Sequence, residues 1–389
     1  MKASKLISLL AFGLIIAILA AAVRFFFNPL GLGPEPEAVL SVDFFARPAK
    51  NLSPLELLVG GGEAFDEMLE SIDSAASSIH VQTYIWKDDN MGRKMLARLK
   101  TAASRGVKVT ISKDILGTVF ELGDLLHGKP SPVFTKAGLK GYANINVHLS
   151  LFADTDHSKY VIVDERLVIF GGMNIADEYH TDWHDYMALI RSSRWAKAFQ
   201  DKVLSGSSWP HPSPFVVTVN NRKATEIRTA LIEMIDNSRE SVILEHAYFS
   251  DDKVIAAIER AAARGVNVTI ILPEEPDTHL YANMVTINRL LGSAPEDNLK
   301  ILLYPQMSHA KVALTDGKIA AIGSANLTPR SMLTSREVTL FVHGAHDDLF
   351  INELQERLVA DMAESEQVLE PYQLSFTDKV KALVGKYVW

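Results

Sequence analysis

The stretch His157-Ser-Lys-Tyr-Val-Ile-Val-Asp164 decides the fold of this chain, because its pattern returns as His309-Ala-Lys-Val-Ala-Leu-Thr-Asp316. Both copies read His-x-Lys-x-x-x-x-Asp, so Lys159 and Lys311 occupy matched places. A pattern that combines three chemically distinct residues at fixed spacing rarely recurs by chance in one chain. The repeat therefore indicates a chain built from two homologous halves.

The match continues downstream of both copies. Small-residue turns follow at equal distances from the two histidines, Gly171-Gly172-Met-Asn174 in the first half and Gly323-Ser324-Ala-Asn326 in the second. An acidic residue also stands equally far from each histidine, Asp185 in the first half and Glu337 in the second. These matched positions make the downstream residues candidates for one shared chemical site.

Strand and helix patterns alternate in both halves. Ser78 to Trp86 has the composition of a strand, Met91 to Ser104 that of a helix, and Val107 to Ile111 that of a further strand. The second half repeats this order, with a helix predicted over Val254 to Ala263. Strand-helix-strand units favour parallel pairing through right-handed crossovers. We therefore predict an α/β fold of two similar halves, each a mixed, mostly parallel sheet flanked by helices.

The predicted boundaries divide the chain into six segments. A Pro- and Gly-rich stretch and the run Ser205 to Pro214 provide the two breaks between them. The segments are an N-terminal anchor (1–27), a linker (28–56), the first half (57–204), a second linker (205–214), the second half (215–365) and a C-terminal tail (366–389). The tail carries helical periodicity from Phe376 to Trp389, which predicts a helix packed on the body or, alternatively, a helix in contact with a membrane interface.

The N-terminal segment is apolar from Leu6 to Val23, interrupted only by Ser8. Its length and its continuation into Phe25 to Phe27 favour an uncleaved transmembrane helix over a cleaved signal peptide, although Ala20 to Ala22 offer a cleavage site. Lysines before the run and one arginine after it favour an N-terminus inside and the catalytic body outside. The predicted location is a bacterial inner membrane with a single-pass anchor and a periplasmic body.

The overall composition excludes several kinds of site. The 389-residue chain contains no cysteine, which removes disulfides, thiolate nucleophiles and cysteine-based zinc sites. Its net charge of -8 argues against a surface built as a whole to hold nucleic acid, though not against a local basic cleft. No cofactor is needed by the chemistry below, and no metal site is predicted.

Paired histidines and lysines suit phosphodiester chemistry. One imidazole, His157 or His309, can attack phosphorus, and the other can donate a proton to the leaving group. Ammonium and amide groups can hold the non-bridging oxygens where charge develops. The predicted phosphate-binding residues are Asn174, Asn326, Gly172 and Ser324, and the predicted histidine-orienting carboxylates are Asp185 and Glu337.

Asp164 and Asp316 complete the predicted catalytic set of His157, Lys159, His309 and Lys311. Their place at a strand end nevertheless favours a structural role, as a cap or as a partner of a basic residue. Among the remaining histidines, His246 aligns with Thr83 and is a candidate to line the cleft. His180, His184 and His279 are interpreted as surface residues.

These residues closely resemble the phospholipase D superfamily, whose signature is the doubled His-x-Lys-x-x-x-x-Asp. The flanks are most similar to its cardiolipin synthase branch, in Gly171 to Tyr179, Trp183 to Asp185, Gly323 to Ser331 and Tyr84 to Asp89. The resemblance implies two α/β halves related by a pseudo-twofold axis, with one active site at their junction. It also implies a phosphohistidine intermediate with His157 as the nucleophile and His309 as acid and base.

The sequence departs from that branch at three points. One N-terminal apolar segment stands where two are common, His184 replaces an arginine and Thr328 replaces an aspartate. The function implied is a membrane-anchored phosphatidyltransferase or phospholipase D acting on a glycerophospholipid such as phosphatidylglycerol. Two alternatives are a nuclease or phosphodiesterase with the same two-histidine chemistry, and a non-catalytic protein on the same fold. The choice between water and an alcohol as acceptor, and the oligomeric state, stay open.

Overall fold

A computed structural model describes residues 36–388, apart from positions 50–51, 134, 136–137, 140, 151–154, 294–295 and 346. The predicted anchor and the first part of the predicted linker therefore lie outside the described residues. Across the described ranges, no helix combines the length and the apolar character needed to cross a bilayer.

The first half forms a seven-stranded sheet with the strand order β1-β7-β6-β5-β2-β3-β4. Its strands are β1 (Leu55–Val59), β2 (Ser78–Thr83), β3 (Lys108–Asp114), β4 (Ile145–Ser150), β5 (Tyr160–Val163), β6 (Leu167–Gly171) and β7 (Tyr186–Arg191). The first histidine motif enters the sheet at β5, beside β2 in its interior.

The second half repeats this topology. Its strands are β8 (Phe215–Asn221), β9 (Ala224–Thr225), β10 (Ser241–His246), β11 (Asn267–Pro273), β12 (Leu299–Tyr304), β13 (Lys311–Thr315), β14 (Ile319–Gly323), β15 (Glu337–His343) and β16 (Glu366–Gln367). The order β8-β15-β14-β13-β10-β11-β12 matches that of the first sheet strand for strand, and β9 and β16 extend the two edges. The predicted duplicated α/β fold is confirmed.

The prediction of mostly parallel sheets is wrong. Only β2–β3–β4 and β10–β11–β12 pair in parallel, and the remaining neighbours in both sheets are antiparallel. Tight hairpins explain this, because β5 leads into β6, and β13 into β14, through turns too short for a crossover. The central turn residues Asp164, Glu165, Asp316 and Gly317 have φ of 54°, 53°, 52° and 59°, the backbone that type I′ hairpin turns require.

Helices flank both sheets, most of them on the outer faces, whereas the two that span Ser193–Ser205 and Leu349–Glu364 contribute to the core between the sheets. They are α1 (Val42–Ala46), α2 (Gly60–Asp73), α3 (Asn90–Ser104), α4 (Leu122–Leu126), α5 (Ser193–Ser205), α6 (Glu226–Asn237), α7 (Asp252–Ala263), α8 (Leu280–Ser293), α9 (Pro329–Leu333), α10 (Leu349–Glu364) and α11 (Phe376–Val388). Matched aspartates cap the equivalent helices α3 and α7, since Asp89 accepts from Gly92 N–H and Asp251 from Lys253 and Val254 N–H. Shorter turns lie at Leu116–Val119, Glu178–Asp182 and Glu296–Asn298.

The two sheets pack face to face around a shared core. Side chains alternate along β5, so that Tyr160 and Ile162 join the core between the sheets, while Val161 and Val163 pack under the helices of the first half. Val312 and Leu314 of β13 join the same inner core from the second half. This packing places both histidine motifs at the junction of the halves.

Residues 36–49 and 366–388 are more ordered than the words linker and tail imply. The backbone N–H groups of Val39 and Leu40 donate to Glu233 of the second half at 3.0 and 2.8 Å, and Leu40 is buried. The first strand of the first half, β1, begins before the predicted boundary at residue 57. The C-terminal segment starts as β16, an edge strand on β12, and ends in α11.

Candidate active site

Each motif histidine is anchored by backbone hydrogen bonds to the opposite half. The N–H of His157 donates to the carbonyl of Arg336 at 2.9 Å, immediately before Glu337. The N–H of His309 donates to the carbonyl of His184 at 2.7 Å, immediately before Asp185. The backbone at the start of each motif therefore lies beside the residue of the other half that carries the carboxylate.

This crossing pairs each imidazole with the carboxylate of the opposite half. Nδ1 of His157 lies 2.9 Å from Oε1 of Glu337, and Nδ1 of His309 lies 2.7 Å from Oδ2 of Asp185. A carboxylate that accepts from Nδ1 fixes the tautomer and leaves Nε2 for substrate. Both histidines line the same cleft. We refer to the pairs His157–Glu337 and His309–Asp185 as the two crossed dyads.

The motif lysines lie beneath the cleft. Lys159 and Lys311 are almost fully buried, and each ammonium donates to the carbonyl of its own motif histidine. Burial lowers the pKa of Lys159 to about 7 and that of Lys311 to about 8, although Glu337 and Asp185 oppose this. The structure thus gathers two imidazoles and two amines so closely that the charge on one shifts the pKa of the others.

The histidines are held largely neutral. Burial lowers the pKa of His157 to about 4, against the pull of Glu337. Burial also lowers the pKa of His309 well below its usual value, and Lys311 and Lys159 push it in the same direction. A neutral imidazole with a free Nε2 is the form that can act as a nucleophile.

The carboxylates of Glu337 and Asp185 differ in the number of hydrogen bonds that they accept. Glu337 accepts from Ser324 Oγ at 2.5 Å and from Ser331 Oγ at 2.8 Å, besides His157. Although burial raises the pKa of Glu337, the attraction of His157 and these hydrogen bonds hold it below its usual value.

Asp185 has fewer donors. Besides His309, it accepts from the N–H of Tyr186 at 2.8 Å. Burial raises the pKa of Asp185 to about 7. The crossed dyads are therefore equivalent in topology but unequal in electrostatics.

Gly172 and Ser324, predicted to contact phosphate, support the carboxylates. A Cβ at Gly172 would lie 2.5 Å from Oδ2 of Asp185, so only glycine leaves room for that side chain. The equivalent Ser324 supplies the hydroxyl that donates to Glu337. A direct contact of either residue with phosphate stays a prediction.

The two asparagines differ as well, although both line the cleft. Oδ1 of Asn174 accepts from the N–H of Ile85 at 2.9 Å, and its Nδ2 donates to the hydroxyl of Tyr179 at 2.8 Å. Asn174 thus positions the cleft wall. Oδ1 of Asn326 is buried without a hydrogen bond among the described atoms, which leaves this amide available to substrate.

Asp164 and Asp316 lie away from the cleft, at the opposite end of the motif strands. The carboxylate of Asp164 accepts from the N–H groups of Ala76, Ser77 and Ser78 at 2.7 to 2.8 Å. Asp316 accepts from the matched Arg239, Glu240 and Ser241 N–H groups. The structure therefore does not place them with the catalytic residues and supports the capping role.

Several cleft residues were not identified from the sequence. Aromatic rings surround the histidines: Tyr84 lies 4.9 Å from His157 and Tyr179 lies 5.1 Å from His309, between ring centroids. The hydroxyl of Tyr248 donates to Asp277, whose pKa is raised by burial. Further lining residues are Phe120, Thr155, Thr278, Thr328 and Arg330. Asp277 and Thr278 follow the carboxyl end of β11, the usual place for ligand contacts in a parallel segment.

Two histidines interpreted as surface residues are half-buried and lie in or beside the active site. His279 lines the cleft and stacks on Tyr248 with 4.3 Å between ring centroids. His184 belongs to a buried cluster beside the His309 dyad. His180 is half-buried, with its ring edge against Phe65. The surface interpretation is thus wrong for His279 and His184.

The candidate cleft residue His246 lies beside Lys311 in the β10–β13 register and is not among the lining side chains. It is buried, and within the described structure neither ring nitrogen has a hydrogen-bond partner. Burial, aided by Lys311, lowers the pKa of His246 to about 3. A neutral ring here fills space behind the ammonium of Lys311.

One group of described residues has metal-ligand spacing: His184, Glu245 and Asp361, whose ligand atoms lie within 4.8 Å of one another. Nε2 of His184 lies 3.1 Å from Asp361, the hydroxyl of Tyr186 donates to the same carboxylate, and Ser308 Oγ donates to Glu245 at 2.6 Å. Burial raises the pKa of Glu245 to about 8. These hydrogen bonds already satisfy the group.

The repeated topology, the doubled motif and the single cleft between two crossed dyads define an enzyme of the phospholipase D type. Comparison with known proteins agrees. The family described as "Cardiolipin synthase, PLD-like domain" matches residues 68–205 and 231–362. The chain therefore belongs to this family, in the cardiolipin synthase branch of the phospholipase D superfamily, and is an enzyme of the phosphatidyltransferase and phospholipase D type.

Individual relatives extend over most of the chain. Cardiolipin synthase from Listeria welshimeri is 27% identical over 349 residues, covering 81% of this chain and 70% of the relative. Cardiolipin synthase from Clostridium perfringens is 26% identical over 322 residues, covering 74% and 67%. The crystal structure of phosphatidylserine synthase from Haemophilus influenzae has a TM-score of 0.69 at 14% identity, covering 87% of this chain and 96% of that one. This last likeness shows the fold alone.

Proposed function

We propose that this enzyme transfers a phosphatidyl group from one phosphatidylglycerol molecule to a second, as a cardiolipin synthase, through a phosphohistidine intermediate. The observation that carries the proposal is the pair of crossed dyads, each with Nδ1 held by a carboxylate and both opening on one cleft. Such an arrangement provides one nucleophile and one proton carrier on either side of a single phosphorus atom.

In the first step, Nε2 of His157 attacks phosphorus. The P–N bond forms while the P–O bond to glycerol breaks, and protonated His309 gives its proton to the departing alkoxide. The anionic phosphate next to Lys159 and Lys311 offsets their positive charge and so favours the protonated form of His309. His157 is the better nucleophile because Glu337, with three donors, stays ionised and holds its Nδ1–H.

In the second step, a hydroxyl of another phosphatidylglycerol replaces glycerol in the cleft. His309, now neutral, removes the hydroxyl proton, the new P–O bond forms and the P–N bond to His157 breaks. The product is cardiolipin, and both histidines return to their starting states. The two lysines and Asn326 hold the non-bridging oxygens through both steps.

The described cleft lining favours a lipid over a nucleic acid strand. Besides hydroxyl, amide and imidazole groups, it includes Ile85, Phe120 and three tyrosines, with a single guanidinium, Arg330, and a single carboxylate, Asp277. A polynucleotide site needs a row of cations along the backbone path. A lipid phosphate needs cations at one point only, which Lys159 and Lys311 provide.

The proposal includes an N-terminal membrane anchor at residues 6–23 that keeps the body near its substrate, with the body on the periplasmic side of a bacterial inner membrane. The apolar run and its flanking charges support this placement. Protease protection of the C-terminus in sealed inside-out and right-side-out vesicles tests the orientation.

The central experiment incubates detergent-solubilised full-length protein with phosphatidylglycerol and identifies the products. We expect cardiolipin and free glycerol. His157→Ala and His309→Ala lower the rate by about a thousandfold or more, given the usual contribution of a nucleophile or general acid. The matched control is His127→Ala, which removes an exposed histidine of the first half.

Each outcome has a defined meaning. Phosphatidic acid as the only product indicates that water is the acceptor and contradicts the transferase. Cleavage of single-stranded DNA without any lipid product favours a nuclease. Mass spectrometry of His309→Ala, which retains the nucleophile, should find phosphatidyl on His157, and an adduct found elsewhere contradicts the assigned roles.

A further inference from the structure

The C-terminal helix α11 is packed with its apolar side outward. At 100° per residue, Phe376, Val380, Leu383, Val384 and Tyr387 fall on one side of the helix. The first four are 81%, 45%, 59% and 45% exposed, whereas Ala382 on the other side is 5% exposed. We call these five residues the outer stripe of α11. A surface helix of a water-soluble protein normally buries such an apolar stripe.

The inner side of α11 explains why the outer stripe stays exposed. The side that faces α8 carries small residues, and a Cβ at Gly385 would lie 3.8 Å from Ala282 Cβ and 3.9 Å from Cα of His279. The Lys381 ammonium lies 4.5 Å above the ring of Tyr281, and Lys386 pairs with Asp252 at 2.7 Å. Small residues and flank contacts thus fix the helix on the body, so its large apolar side chains are left for another partner.

The position of α11 connects the outer stripe with the active site. Gly385 packs against the backbone of His279, and His279 lines the catalytic cleft and stacks on Tyr248. A surface that covers the stripe therefore lies about one helix diameter, ~10 Å, from the part of the cleft wall that His279 forms.

We propose that the outer stripe of α11 docks on an anionic lipid bilayer and holds the cleft at the membrane surface. Exposed Lys379 borders the stripe, where its ammonium can meet anionic head groups. Tyr387 suits the interface between head groups and acyl chains. The proposal rests on the proposed function in so far as the bilayer supplies the phosphatidylglycerol.

The size of the stripe favours a bilayer over a protein partner. A 13-residue helix presents one face ~20 Å long and ~10 Å wide, or roughly 200 Å². A stable protein interface takes about 800 Å² from each partner. Membrane attachment through an interfacial helix instead adds to other contacts, so a small apolar area suffices.

A fluorescence experiment tests the docking directly. Because the chain lacks cysteine, Leu383→Cys gives a single site for an environment-sensitive fluorophore in the full-length protein. Leu204→Cys, on α5 and 47% exposed, is the matched control. In vesicles of phosphatidylcholine with phosphatidylglycerol, we expect a blue shift and quenching by lipid-borne spin labels at residue 383 but not at residue 204.

The contrary results are equally defined. No difference between the two labels overturns the docking. An equal response in phosphatidylcholine alone overturns the choice of an anionic surface. A blue shift that grows with protein concentration and resists lipid-borne quenchers indicates a second copy of the chain and overturns the bilayer as partner.

Kinetics separate this inference from the proposed function. The double variant Leu383→Gln, Val384→Gln removes apolar area from an exposed surface. We expect its KM for phosphatidylglycerol in bilayers to rise about tenfold, in keeping with the apolar area lost. Its rate on dispersed short-chain phosphatidylglycerol should match that of the unaltered chain. An unchanged bilayer KM refutes the docking, whereas inactivity of the unaltered chain on both substrates refutes the function.

Discussion

Replacing Asp164 by Asn tests whether the last residue of the motif works in catalysis or in folding. The carboxylate accepts from three successive backbone N–H groups at the start of β2 and from Ser77 Oγ at 2.8 Å. It also starts the β5–β6 hairpin with φ of 54°, a backbone that Asn adopts as readily as Asp. The substitution therefore removes the charge and one acceptor oxygen while it preserves the turn.

The magnitude follows from the pKa. Although burial raises it, the four hydrogen bonds lower the pKa of Asp164 from 3.8 to about 2. A group whose pKa is depressed by folding stabilises the native state above its unfolded pKa and loses that contribution as pH falls through the folded pKa. Discounted for solvent screening at this partly exposed site, the difference corresponds to roughly 1 kcal/mol, fully present at neutral pH and lost between about pH 4 and 2.

Urea unfolding of the solubilised full-length protein measures this effect. We expect Asp164→Asn to lower the free energy of unfolding by about 1 kcal/mol at pH 7 and to retain most of the kcat of the folded protein. The gap to the unaltered protein should narrow below pH 4. Asp66→Asn, at an exposed position on α2, is the control and should change neither quantity. A large loss of kcat without a loss of stability would refute the capping role.

Three further predictions concern the crossed dyads. Gly172→Ala places a Cβ against the Asp185 carboxylate, so kcat should fall at least about tenfold, or ~1.4 kcal/mol, with KM nearly unchanged. An unaltered kcat contradicts the need for glycine at this position. Ser331→Ala removes a donor from Glu337, which raises the pKa of this carboxylate and should move the acidic limb of the pH–rate profile to higher pH; a shift to lower pH contradicts the assignment. Because the pKa of Lys159 is near 7 and that of Lys311 near 8, both ammonium charges are lost as pH rises. We therefore expect kcat/KM to fall above about pH 8; a rate that climbs steadily to pH 10 excludes a role of the ammonium charges in the reaction.

Much of the fold could be predicted because the duplication is visible in the sequence itself. The doubled motif and the repeated strand and helix patterns predicted two equivalent halves, and the structure shows matching strand orders. Strand direction was predicted wrongly, since periodicity does not distinguish a hairpin from a crossover. The pair Asp316-Gly317 between two apolar runs was the available signal, because Asp-Gly is a strong indicator of a tight hairpin.

The sequence predicted which residues form the active site better than it predicted which of them contact each other. Spacing identified Asp185 and Glu337 beside the histidines, but the exchange of carboxylates between halves depends on how the two sheets face each other. Gly172 was assigned to phosphate because glycine in a turn suggests close approach, whereas the neighbour that needs the space is Asp185. His279 and Asp277 lie in an aperiodic loop, where no sequence pattern indicates that a residue lines the cleft.

Because the dyads are crossed, neither half can hold a complete histidine–carboxylate pair on its own. Opening the junction while both sheets remain folded separates His157 from Glu337 and His309 from Asp185 in the same event. Catalytic activity therefore depends on correct docking of the two halves. An intermediate in which both halves are folded but wrongly docked is inactive.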